Sequence, residues 1–113
     1  MKYFDIHEFD CPCCKVNKMD RTFLGLLDEA RKKANTPFII NSGFRCKKHN
    51  DEIDGKPNSS HKLGLAADIK VKNSSAKYKI LKSLLEAGFK RIGVYKTFIH
   101  VDLDFNKPQE VVW

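Results

Sequence analysis

The chain has 113 residues, 42% of them hydrophobic, eight Phe among them, and a net charge of +7. This composition gives one domain with a modest core, excludes a disordered chain, and contains no apolar run long enough to span a membrane. The lysines are spread without a block of five, so the positive field favours polyanionic partners in general and does not separate nucleic acid, an anionic wall or a merely solvated surface.

Residues 1–18 read as an irregular N-terminal arm carrying Phe4, Phe9, Cys11, Cys13 and Cys14. The first six residues contain no apolar signal core and no small-residue cleavage site, so synthesis in the cytosol is expected, with any export depending on help from elsewhere. In that setting a disulfide framework is not the default. No second close pair completes a zinc knuckle with Cys11-Pro12-Cys13-Cys14. Structural thiols, or a link from the cluster to Cys46 by metal or by disulfide, both remain open. Residues 19–34 predict a helix capped by Asp20, with Phe23, Leu24, Leu26, Leu27 and Ala30 as its apolar stripe. Asn35-Thr36-Pro37 ends it, and residues 38–40 predict a short strand that stops at Ser42-Gly43.

A long polar segment follows, residues 44–62, with a helical turn at 47–53. A loop of this length in a small domain is more often functional than idle. Residues 66–71 predict a strand, and 75–87 a second amphipathic helix with Ile80, Leu81, Leu84 and Leu85 inward and Gly88 as its stop. Residues 91–95 and 97–103 predict two further strands. The order gives a small α+β domain over residues 1–113 with a largely antiparallel sheet packed against helices.

Side chains alternate across a strand. His100 and Asp102 therefore share one face, opposite Ile99, Val101 and Leu103. Ala66, Asp68 and Lys70 likewise oppose Ala67, Ile69 and Val71. His61 stands just before that strand, where Gly64 allows a tight bend. Each residue alone has an ordinary explanation as a satisfied or surface group. Together, two imidazoles and a carboxylate turned to one side form the ligand set of a catalytic zinc ion with one position open to water, and they point to a metal-dependent hydrolase. His7 and His49 have no partner at ligand spacing and are taken as non-ligands. Arg45, at the end of the first strand, suits either a substrate carboxylate near a metal or a surface ion pair with Asp51, Glu52 or Asp54.

Ser59-x-His61-x-x-Gly64-x-Ala66-x-Asp68 resembles, at every fixed position, the signature of the zinc D-Ala-D-Ala carboxypeptidases and murein endopeptidases. Ser42-Gly43-Phe44-Arg45 is similar to that family's Ser-Gly-Tyr-Arg element, and His100-Val101-Asp102 to its last ligand strand. Glu8-Phe9-x-Cys11 resembles the opening of the compact phage- and bacterium-encoded branch. The resemblance runs from about residue 4 to about residue 104. It implies the fold shared with the hedgehog signalling domain, one zinc ion held by His61, Asp68 and His100, Arg45 on the substrate carbonyl or carboxylate, and Ser59 as a supporting or substrate-binding hydroxyl. Several branches carry an acid three positions before the last ligand; here that position is Thr97, which does not take a proton from water near neutral pH. Asp102 is then the candidate general base, its other reading being support of a zinc-bound imidazole.

The function implied is hydrolysis of amide bonds in peptidoglycan peptides, as a carboxypeptidase or an endolysin-type endopeptidase acting on the wall as a monomer, without nucleic-acid or membrane partners. The runner-up is a non-catalytic module that keeps zinc for stability and binds a peptide or partner protein. A nucleic-acid binder built on the cysteines has little behind it, because no stacking-aromatic or recognition-helix pattern accompanies the charge.

Overall fold

A computed structural model describes residues 1–113. Five strands, β1 (Ile39–Ser42), β2 (Ala66–Lys70), β3 (Arg91–Val94), β4 (Phe98–Asp102) and β5 (Val111–Val112), form one sheet in the order β1-β2-β4-β3-β5. All neighbours are antiparallel except β3 and β5, which are parallel. The helices are α1 (Arg21–Ala34), the short α2 (Lys47–Glu52) and α3 (Ser74–Ala87). The architecture is α+β.

Local chemistry sets the helix ends. The Asp20 side chain accepts from the Phe23 amide at the start of α1, and Asn35, left-handed at φ 50°, closes it. Gly88 does the same for α3 at φ 105°. The helices persist because their stripes are buried. Phe23, Leu24 and Leu27 of α1 and Ile80 and Leu84 of α3 join Ala67, Ile69, Ile92, Ile99 and Val101 of the sheet in one core. Each of these side chains larger than alanine contributes about 1.5–3 kcal/mol of burial, several times the per-residue spread of helix propensity. Leu85 departs from the sequence expectation: it is 50% exposed, and Ser83 is buried in its place. At 100° per residue, Leu85 lies too far round from the Ile80–Leu84 line to reach the core.

The arm is less irregular than its sequence indicates. Residues Ile6–Phe9 form a 3-10 turn, with Asp5 and Glu8 in a reciprocal capping box. A second 3-10 turn, Ser60–Leu63, delivers His61 and ends at Gly64, whose φ of 72° suits glycine and whose backbone lies against the Lys18 carbonyl. The pairing of β1 with β2 slips between Ile40 and Ser42, which sets Ser42 opposite Asp68 and re-aims the chain beyond it. With core side chains on one face of the sheet, Asp68 and His100 fall on the other, directly paired in register.

Candidate metal centre

His61, Asp68 and His100 each offer a ligand atom, and these atoms lie within 4.8 Å of one another. Asp68 Oδ1 is 2.9 Å from His100 Nδ1 and 3.2 Å from His61 Nε2. Zinc bonds of about 2.0–2.1 Å would set tetrahedral ligand atoms roughly 3.3 Å apart, close to these spacings.

The far nitrogen of each ring is fixed by an acceptor. His61 Nδ1 donates to the Gly43 carbonyl at 2.8 Å, and His100 Nε2 donates to Asp102 Oδ2 at 2.8 Å. Carbonyl and carboxylate oxygens only accept, so both rings turn their remaining nitrogen toward Asp68. Two nitrogens and a carboxylate oxygen converge on a place where a positive charge belongs, either a proton or a metal cation. The donor set fits a divalent metal such as zinc.

The electrostatics agree. Burial alone would raise the Asp68 carboxyl, but hydrogen bonds from His100 and His61 outweigh it and hold it well below the usual carboxylate range. Burial pulls His100 down, yet its bonds to Asp102 and Asp68 prevail and leave it raised. Asp102 is lowered against its burial by His100, by the Asp104 amide and by Arg91.

Arg45 faces this cluster, away from Asp51, Glu52 and Asp54. Its Nε donates to Ser42 Oγ at 3.0 Å and its terminal nitrogen to Asp68 Oδ2 at 3.2 Å. Ser59 lines the same cleft and caps the turn that carries His61, its hydroxyl accepting the His61 amide at 3.2 Å. Asp102 lies on the far edge of the His100 ring. Its other oxygen accepts from Arg91 Nε at 2.7 Å. Thr97 is exposed, and its carbonyl accepts from the Val71 amide at 3.0 Å. His7 and His49 lie outside the cluster.

Several residues of the site escape a sequence reading. Arg91 is buried beneath the site, anchored to Asp102 and to the Pro108 carbonyl, with its guanidinium 5.0 Å from the Trp113 ring centre. The indole of Trp113 bonds Tyr95 at 2.9 Å, and Tyr95 stacks on Phe98 at 4.6 Å. Asp104, fully buried, accepts from Ser60 Oγ at 2.8 Å. Trp113 is the chain's single tryptophan, the one sequence signal by which it could have been found. The cleft, about 280 Å³, is lined by Tyr95, Phe98 and Trp113 and by the basic side chains of Arg45, Lys56 and Lys107.

No helix is long and apolar enough to cross a membrane. A search of curated proteins finds no match. The family model described as Peptidase M15, in contrast, matches residues 2–102, a span that contains His61, Asp68, His100, Arg45 and Asp102. The chain belongs to the M15 family of peptidases and is a metallopeptidase.

Proposed function

We propose that the protein is a zinc peptidase that hydrolyses amide bonds in peptidoglycan peptides, either releasing a terminal D-Ala or opening a cross-link. The observation that carries this reading is the convergence of His61, Asp68 and His100, each ring held by an acceptor on its far nitrogen, in a cleft also lined by Arg45, Lys56 and Lys107. Those three residues would hold the ion. When bound, zinc supplies a Lewis acid for the scissile carbonyl and a water of near-neutral pKa.

The remaining roles belong to the chain itself. Gly43 and Asp102 hold the two rings by their far nitrogens, so that an ion replacing the protons shared with Asp68 would meet the near nitrogens with no reorientation of either ring. Arg45 sits where a substrate carbonyl or carboxylate would meet it, and it concentrates positive charge where negative charge develops. Lys56, exposed at the cleft, suits a carboxylate of an acidic stem peptide, whereas the Lys107 ammonium is held by the Asn58 carbonyl and the Ser60 hydroxyl beside Asp104. Tyr95 accepts from the Trp113 indole, which leaves its own hydroxyl proton free for an acceptor in the cleft. Asp102, the sequence candidate for general base, is assigned here to positioning: both of its oxygens are engaged and it is turned away from the ligand atoms.

A second reading has its own observation. Asp68 and Asp102 are the only carboxylates lining the cleft, one in the ligand set and one locked against Arg91. A protein that holds zinc and binds peptide without turnover would look the same. Digestion of purified peptidoglycan separates the two: new amino termini or free D-Ala with wild type, lost in His61→Ala, supports the peptidase. Stoichiometric zinc with no cleavage on any wall type supports the binding module.

A further inference from the structure

We propose that Cys11, Cys13, Cys14 and Cys46 form a separate structural zinc site with four thiolate ligands, which ties the N-terminal arm to the segment bearing Arg45. The inference is independent of the peptidase reading. All four sulfurs lie within 4.8 Å of one another, and all four are free thiols. Cys13 is 3.2 Å from Cys46 and 3.6 Å from Cys11. Zinc–sulfur bonds of about 2.3 Å place tetrahedral sulfurs roughly 3.8 Å apart, whereas a disulfide requires about 2.05 Å. A disulfide would also use only two of the four, leaving the other two crowded against it.

The backbone is arranged around the sulfurs. Cys11 and Cys14 have the two-residue spacing of a metal knuckle, and Cys13 adds a third sulfur from within it. The loop closes on itself: the Cys11 amide donates to the Val16 carbonyl at 2.9 Å and the Lys15 amide to the Cys11 carbonyl at 2.8 Å, with Lys15 left-handed at φ 62°. Cys46 comes from the other side, and its amide points at Cys11 Sγ at 3.5 Å. The His49 amide in turn points at Cys46 Sγ at 3.4 Å. Such N–H donors stabilise charge on a coordinating sulfur. Four soft thiolates in a tetrahedral set select zinc over magnesium or calcium. Loading exchanges the thiol protons for the ion, with no redox step.

The consequence reaches the cleft. Cys46 adjoins Arg45, and the Phe44 amide already bonds the Phe9 carbonyl of the arm at 2.9 Å. The same segment contains Gly43, whose carbonyl orients His61. A small domain gains most from such a staple.

The test uses full-length protein, purified under reducing conditions without chelator. Elemental analysis is expected to find one zinc ion remaining in a His61→Ala/His100→Ala variant, which lacks the cleft ligands. Cobalt substituted into wild type should give the intense near-ultraviolet band of thiolate-to-cobalt charge transfer, which imidazole and carboxylate ligands do not produce. Cys13→Ser/Cys46→Ser should lose that band and unfold at lower temperature. Absence of the band from reduced wild type titrated with cobalt would overturn the proposal, as would an intact mass short of two hydrogens, the mark of a disulfide. The wild-type spectrum needs no variant to fold. Because it reports sulfur alone, it stands or falls apart from the cleft metal.

Discussion

A carboxylate that is 1% exposed, held by a guanidinium at 2.7 Å and an imidazole at 2.8 Å, has little freedom to collect a proton from water in a cleft. On the proposed reading Asp102 instead orients the His100 ring, and it pairs with the buried Arg91. Asp102→Asn keeps the size and one acceptor but removes the charge. It should weaken zinc binding about 10–100-fold, as loss of a carboxylate behind a ligand histidine does. It should also lower stability, because Arg91 is left buried without its counter-charge. Competition against a chromophoric chelator checks the first effect; if zinc affinity is unchanged while turnover disappears, Asp102 is the base after all. Asp68, His100 and Asp102 could be picked out from the residues alone because period-two alternation assigns a strand's faces without knowledge of its neighbours; His61, on the turn before β2, was legible only through its spacing to Asp68 and the motif around it. Arg91 and Asp104 could not. A charged residue at a strand end reads as solvated until the fold shows Pro108, Asp102 and Ser60 closing around it.

At the scale of elements, every helix and strand but β5 was readable, down to the short α2, β1 and β3, and what was missed is β5 and the two 3-10 turns. α1 and α3 each repeat an apolar stripe over several turns, and β2 and β4 alternate over five residues apiece. β5 has two residues, too few for any period. Its parallel pairing to β3 is decided by tertiary contact: the Trp113 and Val111 amides donate to the Ile92 and Lys90 carbonyls at 3.0 Å each. That pairing lays the Trp113 indole across Gly93, where a Cβ would come within 2.8 Å of the ring and 2.9 Å of Tyr95. Gly93→Ala should therefore displace the indole and cost about 1–3 kcal/mol, the range for overpacking a filled site. With one tryptophan in the chain, fluorescence reads the change directly. A red-shifted, more quenchable emission is expected, together with a lower Tm. Unchanged emission would mean that the aromatic wall is not seated on Gly93.

For the whole molecule, the relevant property is a charge of +7 spread over a small surface, with Arg45, Lys56 and Lys107 placed at the cleft. These two parts of the charge should respond differently to salt. The diffuse surface lysines act at a distance, and at physiological ionic strength their field decays over about 8 Å. They would raise the rate of encounter with an insoluble anionic wall, an effect that added salt removes. The Arg45 side chain is largely buried and bonded within the site, so what it does for a bound peptide is screened much less. Hydrolysis of intact anionic wall should accordingly fall steeply from low to high sodium chloride, while kcat on a short soluble stem peptide changes little. Parallel salt series on the two substrates make the comparison. If both fall together, the charge acts inside the cleft and the surface lysines do not steer; if neither falls, the basic surface only keeps the protein dissolved.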